Sequence, residues 1–184
     1  VAVGESARAV SHAGTIVAVA RALDDGFGAI DLIDAESGRR RQSIVRQEYP
    51  RIPVAEAGLL RFEPGDQWLA VGGGSASRQV LVCSIADGDV VGSFYHASDP
   101  IVCAWHPEQP WLAVACADGN IRLWNVLRSH ARSGSSGRAV PSASNPAQVL
   151  EGHRGPVRHI GFSADGEYLA SMDDLGYLRV HSVG

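Results

Sequence analysis

The chain contains no lysine: all 16 of its basic residues are arginine, set against 20 Asp and Glu for a net charge of −4. That balance provides no global basic field for nucleic acid or an anionic membrane surface. Because the arginines are scattered, their monopoly reads first as coding bias in a GC-rich genome. The exception, Arg39-Arg40-Arg41 after Ser37-Gly38, reads as a solvated hairpin tip before a phosphate site. Cysteine is equally scarce. Cys83, Cys103 and Cys116 are odd in number, lie inside apolar runs and form no CxxC or Cys/His cluster. That usage argues against a disulfide framework and a zinc site, and for small buried hydrophobes in a reducing, intracellular compartment, cytoplasmic or nuclear. No metal or cofactor is expected. No apolar run approaches the roughly 18 residues of a membrane span, and no secretory leader is visible. The only methionine is Met172 and the chain opens on Val1 in mid-pattern, so the sequence is expected to begin inside a longer reading frame.

Long helical periodicity is also missing. Every apolar run is short, rich in β-branched or aromatic residues, and bounded by Gly, Pro, Asp or Ser, which is the pattern of strands. The clearest unit spans Ala104 to Val126. An aromatic-Pro turn leads into an apolar strand from Trp111 to Cys116, an Asp118-Gly119-Asn120 turn, and a second strand from Ile121 to Val126. Two such runs joined by a tight Asp-Gly turn predict an antiparallel hairpin.

The same unit recurs. Val10 to Val19, Phe62 to Val71, Trp105 to Val114 and Phe162 to Ser171 align without a gap, and a second landmark follows each at Ile30, Val80, Ile121 and Leu178. The step from aligned positions 16, 68, 111 and 168 to those landmarks is 14, 12, 10 and 10 residues, so the hairpin is constant apart from its turn. The longer turns, Asp24 to Gly28 and Gly72 to Ser75, lack a Gly-Lys-Ser/Thr ending and lead into strands. They therefore read as hairpin tips in preference to phosphate loops. Third runs follow at Gln42 to Val45 and Val90 to Phe94. The unit thus predicts four short strands in meander order. Arg128 to Gln148, rich in Ser, Gly, Ala and Pro, is expected to be a surface-loop insertion.

Gly152-His153-Arg154-Gly155-Pro156-Val157, followed by Phe162-Ser163-Ala164-Asp165-Gly166-Glu167-Tyr168-Leu169-Ala170-Ser171, resembles the WD-repeat β-propeller family. Repeats of that family run Gly-His, strand, Ser-Pro-Asp-Gly, Leu-Ala-Ser, Asp-Gly, Ile-Arg-Leu-Trp-Asp. Asp118-Gly119 and Ile121-Arg122-Leu123-Trp124-Asn125 match it again. The resemblance implies an all-β propeller of about four four-stranded antiparallel blades, at residues 1–50, 57–96, 100–150 and 153–184. The last blade lacks its outer strand, so further blades of a longer chain or a second copy are expected to close the ring. It also implies a hydrogen-bond chain through a Gly-His histidine, a strand-two Ser/Thr, a turn Asp and a strand-three Trp. The third unit supplies His96, Asp118 and Trp124, with Val114 in the Ser position. The fourth supplies His153 and Ser171, with Leu175 for Asp and His181 for Trp.

The family hosts many unrelated roles. The leading expectation is a non-catalytic scaffold that binds a protein or peptide across the face of connectors and strand-two to strand-three turns, through Tyr95, Asp99, Asp118, Arg154, Arg158 and Asp174. The alternative is a propeller enzyme, hydrolytic or redox, with its site at the central channel. That reading requires clustered carboxylates or histidines at equivalent turns, and the four turns do not match one another. No catalytic residue is assigned, because the spacing pairs no histidine with a nucleophile. A nucleic-acid role through Arg39 to Arg41, Arg46 and Arg51 is the least supported.

Overall fold

The apolar runs pair with their sequence neighbours into four separate sheets. The structure is a computed structural model, and it describes residues 8–22, 28–45, 58–72, 78–127 and 142–183. The first sheet holds β1 (Arg8–Val10), β2 (Ile16–Ala22), β3 (Gly28–Asp34) and β4 (Arg40–Val45), in that order. The second holds β5 (Leu59–Phe62), β6 (Trp68–Gly72), β7 (Gln79–Ser84) and β8 (Val90–Tyr95). The third is built on β9 (Pro100–Trp105), β10 (Trp111–Cys116) and β11 (Ile121–Asn125). Two short strands follow, β12 (Ser142–Ala143) and β13 (Gln148–Leu150), and β13 is the fourth strand of the third sheet. The last sheet has three strands, β14 (Val157–Phe162), β15 (Tyr168–Asp173) and β16 (Leu178–Ser182). Pairing within each hairpin is antiparallel, and no sheet closes on itself among the described residues.

Alternation sets the faces. Directly opposed residues share a side of the sheet, so the pairs Leu112↔Trp124 and Val114↔Arg122 put those four side chains on one face of the third sheet. Ala113↔Leu123 and Ala115↔Ile121 lie on the other. Each sheet therefore has two buried faces where it is sandwiched, and three apolar clusters fill the gaps between the four sheets. The middle cluster holds Phe94, Trp105 and Trp124, with the Phe94 and Trp124 rings 5.1 Å apart. All three cysteines are buried thiols outside any disulfide.

Turns at one end of the sheets also tie neighbours together. The Asp66 carboxylate accepts from the amides of His12 and Ala13 at 2.7 and 2.8 Å. Asp66 reaches them with φ of 55°, a left-handed conformation that Asp tolerates better than most residues. Gly166 sits at the equivalent position of the last sheet, where an added Cβ would collide with the His106 ring.

The stretch 128–148, expected as a surface loop, carries order at its far end: β12 pairs parallel with β8 as a fifth, outermost strand of the second sheet, and β13 opens at Gln148. Residues 128–141 lie outside the described set. So do most of the two glycine-bearing turns, and Arg46 and Arg51 of the basic set. Of the Arg39-Arg41 triplet, Arg41 is held by Asp34 and Arg40 stands 3.8 Å from Asp31, so two of the three face carboxylates of their own hairpin.

The outward face of the last sheet is apolar. Tyr168, Leu178 and Val180 are exposed, and Leu175 and Tyr177 extend the patch into the turn. Counting 57 residues back, 168, 170, 172, 178 and 180 become Trp111, Ala113, Ala115, Ile121 and Leu123. Those five are among the residues with which the third sheet packs against the fourth.

Candidate functional site

Polar side chains buried between sheets are the first candidates for chemistry, since burying them unpaired costs stability. In the last sheet, Ser171 and Asp173 sit two apart on β15 and so share a face, and His153 descends on them from the connector. His153 Nε2 lies 2.8 Å from Ser171 Oγ, and its Nδ1 lies 3.0 Å from Asp173 Oδ2. Asp173 Oδ1 also accepts from the amides of Leu175 and Tyr177 at 3.1 and 2.9 Å. Burial alone would raise the Asp173 carboxyl, but the Tyr177 amide, the His153 ring and the Leu175 amide outweigh it and hold it below its ordinary value.

Ser, His and Asp in this order have the connectivity of a nucleophilic triad. The surroundings do not suit the role: Ser171 is 2% exposed, and the His153 and Asp173 side chains 1% each. A hydroxyl sealed inside the sheet stack cannot meet a carbonyl. The arrangement is a clamp fixing the connector to β15. Counting from strand three put Leu175 in the carboxylate's place. Asp173 fills it from two residues earlier, and the period-2 match of Ser171 with Asp173 was the signal available for it.

The third sheet solves the same position differently. His96 Nδ1 lies 3.6 Å from Cys116 Sγ, and its ring stands edge-on to Trp124 at 5.3 Å. With Val114 where Ser171 stands in the next sheet, His96 Nε2 and Trp124 Nε1 are both buried without a hydrogen-bond partner. His181, which takes the Trp position in the last sheet, likewise leaves Nε2 unpartnered. Burial, reinforced by the nearby Arg122, depresses His96 to about 3, and burial pushes the Cys116 thiol up to about 12. Both are therefore neutral. Asp118, expected in the chain with His96 and Trp124, is instead engaged by Arg122. Nη2 donates to Oδ2 at 2.7 Å and Nη1 to Oδ1 at 3.3 Å. Arg122 shares the face of Cys116 and lies four residues from Asp118, so the guanidinium meets the carboxylate first.

The exposed candidates gather at the opposite end from the Asp66 turn. Ala117 N donates to Asp99 O at 3.0 Å, and Asp174 N to Pro156 O at 3.0 Å, so the same join links connector and turn in both sheets. Gly119, at φ 79°, brings the Asp118 turn against the next connector: a Cβ there would stand 2.7 Å from His153 O. Asp174 in turn overlies Gly155, where an added Cβ would push the Asp174 carboxylate aside. Asp118, Arg154 and Asp174 thus follow one another along one edge, all exposed. Asp99 is tied to Arg78 at 3.3 Å. Tyr95 ends β8, half-buried, and Arg158 lies exposed on β14. Among the described residues, no group of three or more His, Cys, Asp and Glu is placed to hold a metal ion, and no helix is long and apolar enough to cross a membrane.

The family profile "WD domain, G-beta repeat" matches residues 88–125 and 144–180, the two units that contain these sites. The chain belongs to the WD-repeat family. Its sheets are WD-repeat blades, of which β14 to β16 form one with three strands. Among curated relatives it is 34% identical over 130 residues to bovine (Bos taurus) WD repeat-containing protein 1, covering 68% of this chain and 19% of that protein. It is 25% identical over 185 residues to human (Homo sapiens) mitogen-activated protein kinase-binding protein 1, covering 80% of this chain and 12% of the relative. The chain therefore spans less than a fifth of the length of these relatives. A chain in the crystal structure of a mitotic checkpoint complex superposes with a TM-score of 0.70 at 17% identity, over 97% of this chain and 49% of that one. At that identity the likeness shows the fold.

Proposed function

We propose that this chain is a non-catalytic interaction module that binds a protein or peptide along the rim formed by Tyr95, Asp99, Asp118, Arg154, Arg158 and Asp174. The observation that carries the reading is the stacking of the Asp118 turn, the His153–Gly155 connector and Asp174 into one exposed edge. That edge rests on a base whose histidine is clamped and buried. Rigid support under exposed charged side chains suits recognition. A hydrolytic reading would need the Ser171 hydroxyl to meet substrate, and it is sealed. One relative is named for binding a mitogen-activated protein kinase, and the fold neighbour was crystallised within a complex. A binding role here accords with both.

Three cysteines kept as buried thiols support an intracellular location, in cytoplasm or nucleus. The outward face of the fourth blade repeats the pattern that the third buries, which supports a further blade, from a longer chain or a second copy, lying against it. The binding proposal is tested by comparing proteins captured from cell extract by wild type and by R154E/D174R of equal melting temperature. A partner retained by wild type and lost by the variant is expected; identical captures would overturn the rim assignment.

A further inference from the structure

The β10–β11 hairpin of the third blade and the β15–β16 hairpin of the fourth have the same turn. Cys116 N donates to Asn120 O and Gly119 N to Cys116 O; Asp173 N donates to Tyr177 O and Gly176 N to Asp173 O. The strands also keep one register, with Val114↔Arg122 in the first and Ser171↔Arg179 in the second. Arg122 and Arg179 therefore occupy the same position of the fold, and so do Asp118 and Leu175. In the third blade the guanidinium is engaged: Arg122 is 8% exposed and donates to both oxygens of Asp118. In the fourth, Leu175 supplies no carboxylate. Arg179 is exposed and takes part in no ion pair among the described residues. Its guanidinium lies over Gly152, where an added Cβ would stand 2.8 Å from Cζ and Nη1. Gly152 also holds a φ of 126°, a conformation that glycine alone adopts readily. One residue thus gives the connector its course and the guanidinium its seat.

An arginine laid flat against backbone has given up rotamer freedom before any ligand arrives, and its fork of N–H donors matches a carboxylate. Arg154, two residues along the same connector from Gly152, is likewise exposed and in no ion pair among the described residues. Arg78 and Arg122, by contrast, are taken up by Asp99 and Asp118. Glu151 and Asp174 are exposed beside the connector, and neither forms an ion pair with Arg154 or Arg179. We infer that Arg179 is a carboxylate-reading residue of the rim: an acidic side chain of a partner peptide takes the place at Arg179 that Asp118 takes at Arg122, and Arg154 receives a second one. This names the chemistry of the partner and rests on the rim reading given above. Arg179 shares the Ser171 face of the sheet, opposite Leu178 and Val180, so the acidic site and the apolar outer face are separate surfaces.

The test uses the full chain, a labelled peptide Gly-Asp-Leu-Asp-Gly and its counterpart Gly-Asn-Leu-Asn-Gly. At low salt the acidic peptide is expected to bind wild type about fivefold more tightly than the Asn peptide. The Nε–H resonance of Arg179, assigned by its loss in R179Q, is expected to move on titration. L175D supplies the missing carboxylate in cis, as Asp118 does for Arg122, and is expected to weaken the acidic peptide about fivefold, as is R179Q. R61Q, which removes an exposed arginine of the second blade, is expected to leave binding unchanged. If L175D lowers the melting temperature, R179Q and the resonance carry the test alone. Equal binding of the two peptides, wild-type affinity in R179Q, or an unmoved Arg179 resonance would each overturn the inference. Any of these beside a partner lost from R154E/D174R removes the role of Arg179 and leaves the rim standing, whereas unchanged capture by R154E/D174R removes the rim itself.

Discussion

His153 Nδ1 lies 3.0 Å from Asp173 Oδ2, in a pair whose side chains are each 1% exposed. Ser171 completes the clamp at the other ring nitrogen. Removing its hydroxyl leaves His153 Nε2 buried and unpaired, which costs about 1–2 kcal/mol. S171A is therefore expected to lower the midpoint of urea unfolding, and D173N, which disturbs three donors at once, to lower it further.

Fifty-seven residues earlier the third blade has Val114 in place of Ser171. V114T puts a hydroxyl at the position from which Ser171 meets His153 in the last blade, and here His96 Nε2 is buried without a partner. Valine to threonine in a core ordinarily destabilises. Here the hydroxyl meets a waiting group, and V114T is expected to gain about 0.5–1.5 kcal/mol, measured by the same unfolding curve.

Acid sensitivity follows from His96. An unfolded histidine titrates near 6.5, whereas burial and then Arg122 hold the folded one near 3. As pH falls below about 6.5 the unfolded chain takes the proton first, so stability drops by up to about 1.4 kcal/mol per pH unit until about 3. H96Q is expected to flatten the slope between pH 6.5 and 4.5. A residual slope is assigned to His181, which burial also lowers.

The buried thiols give a chemical check. Burial raises Cys103 and Cys116 to about 12, and the thiolate is the reactive form. At pH 8 an aromatic disulfide reagent is expected to leave all three cysteines unmodified in the folded chain and to titrate three in denaturant. Rapid reaction of Cys116 in the folded state would contradict the packing of His96 on it.

Much of this architecture was legible in the sequence because hairpins are local. Trp111 to Cys116 and Ile121 onward are short apolar runs joined by a turn whose glycine takes positive φ, so the strands and their antiparallel pairing follow from neighbouring residues. Side-chain partnerships were less legible. Asp118 chose Arg122 over His96 because a guanidinium on the same face stood closer, and Asp173 replaced the missing carboxylate from a position that repeat alignment does not mark. β12 was invisible for another reason. Two residues of small side chain carry no periodicity, and their pairing depends on an edge contributed by a different blade.

Binding at the rim is tested most directly by site-specific photocross-linking. A photoreactive residue is placed at Arg154 or Asp174 on the rim, or at Ser163 or Glu63 in the turns at the other end of the blades. With a partner recovered by affinity capture, cross-links are expected from 154 and 174 and not from 63 and 163. Cross-links from 63 and 163 alone would contradict the account.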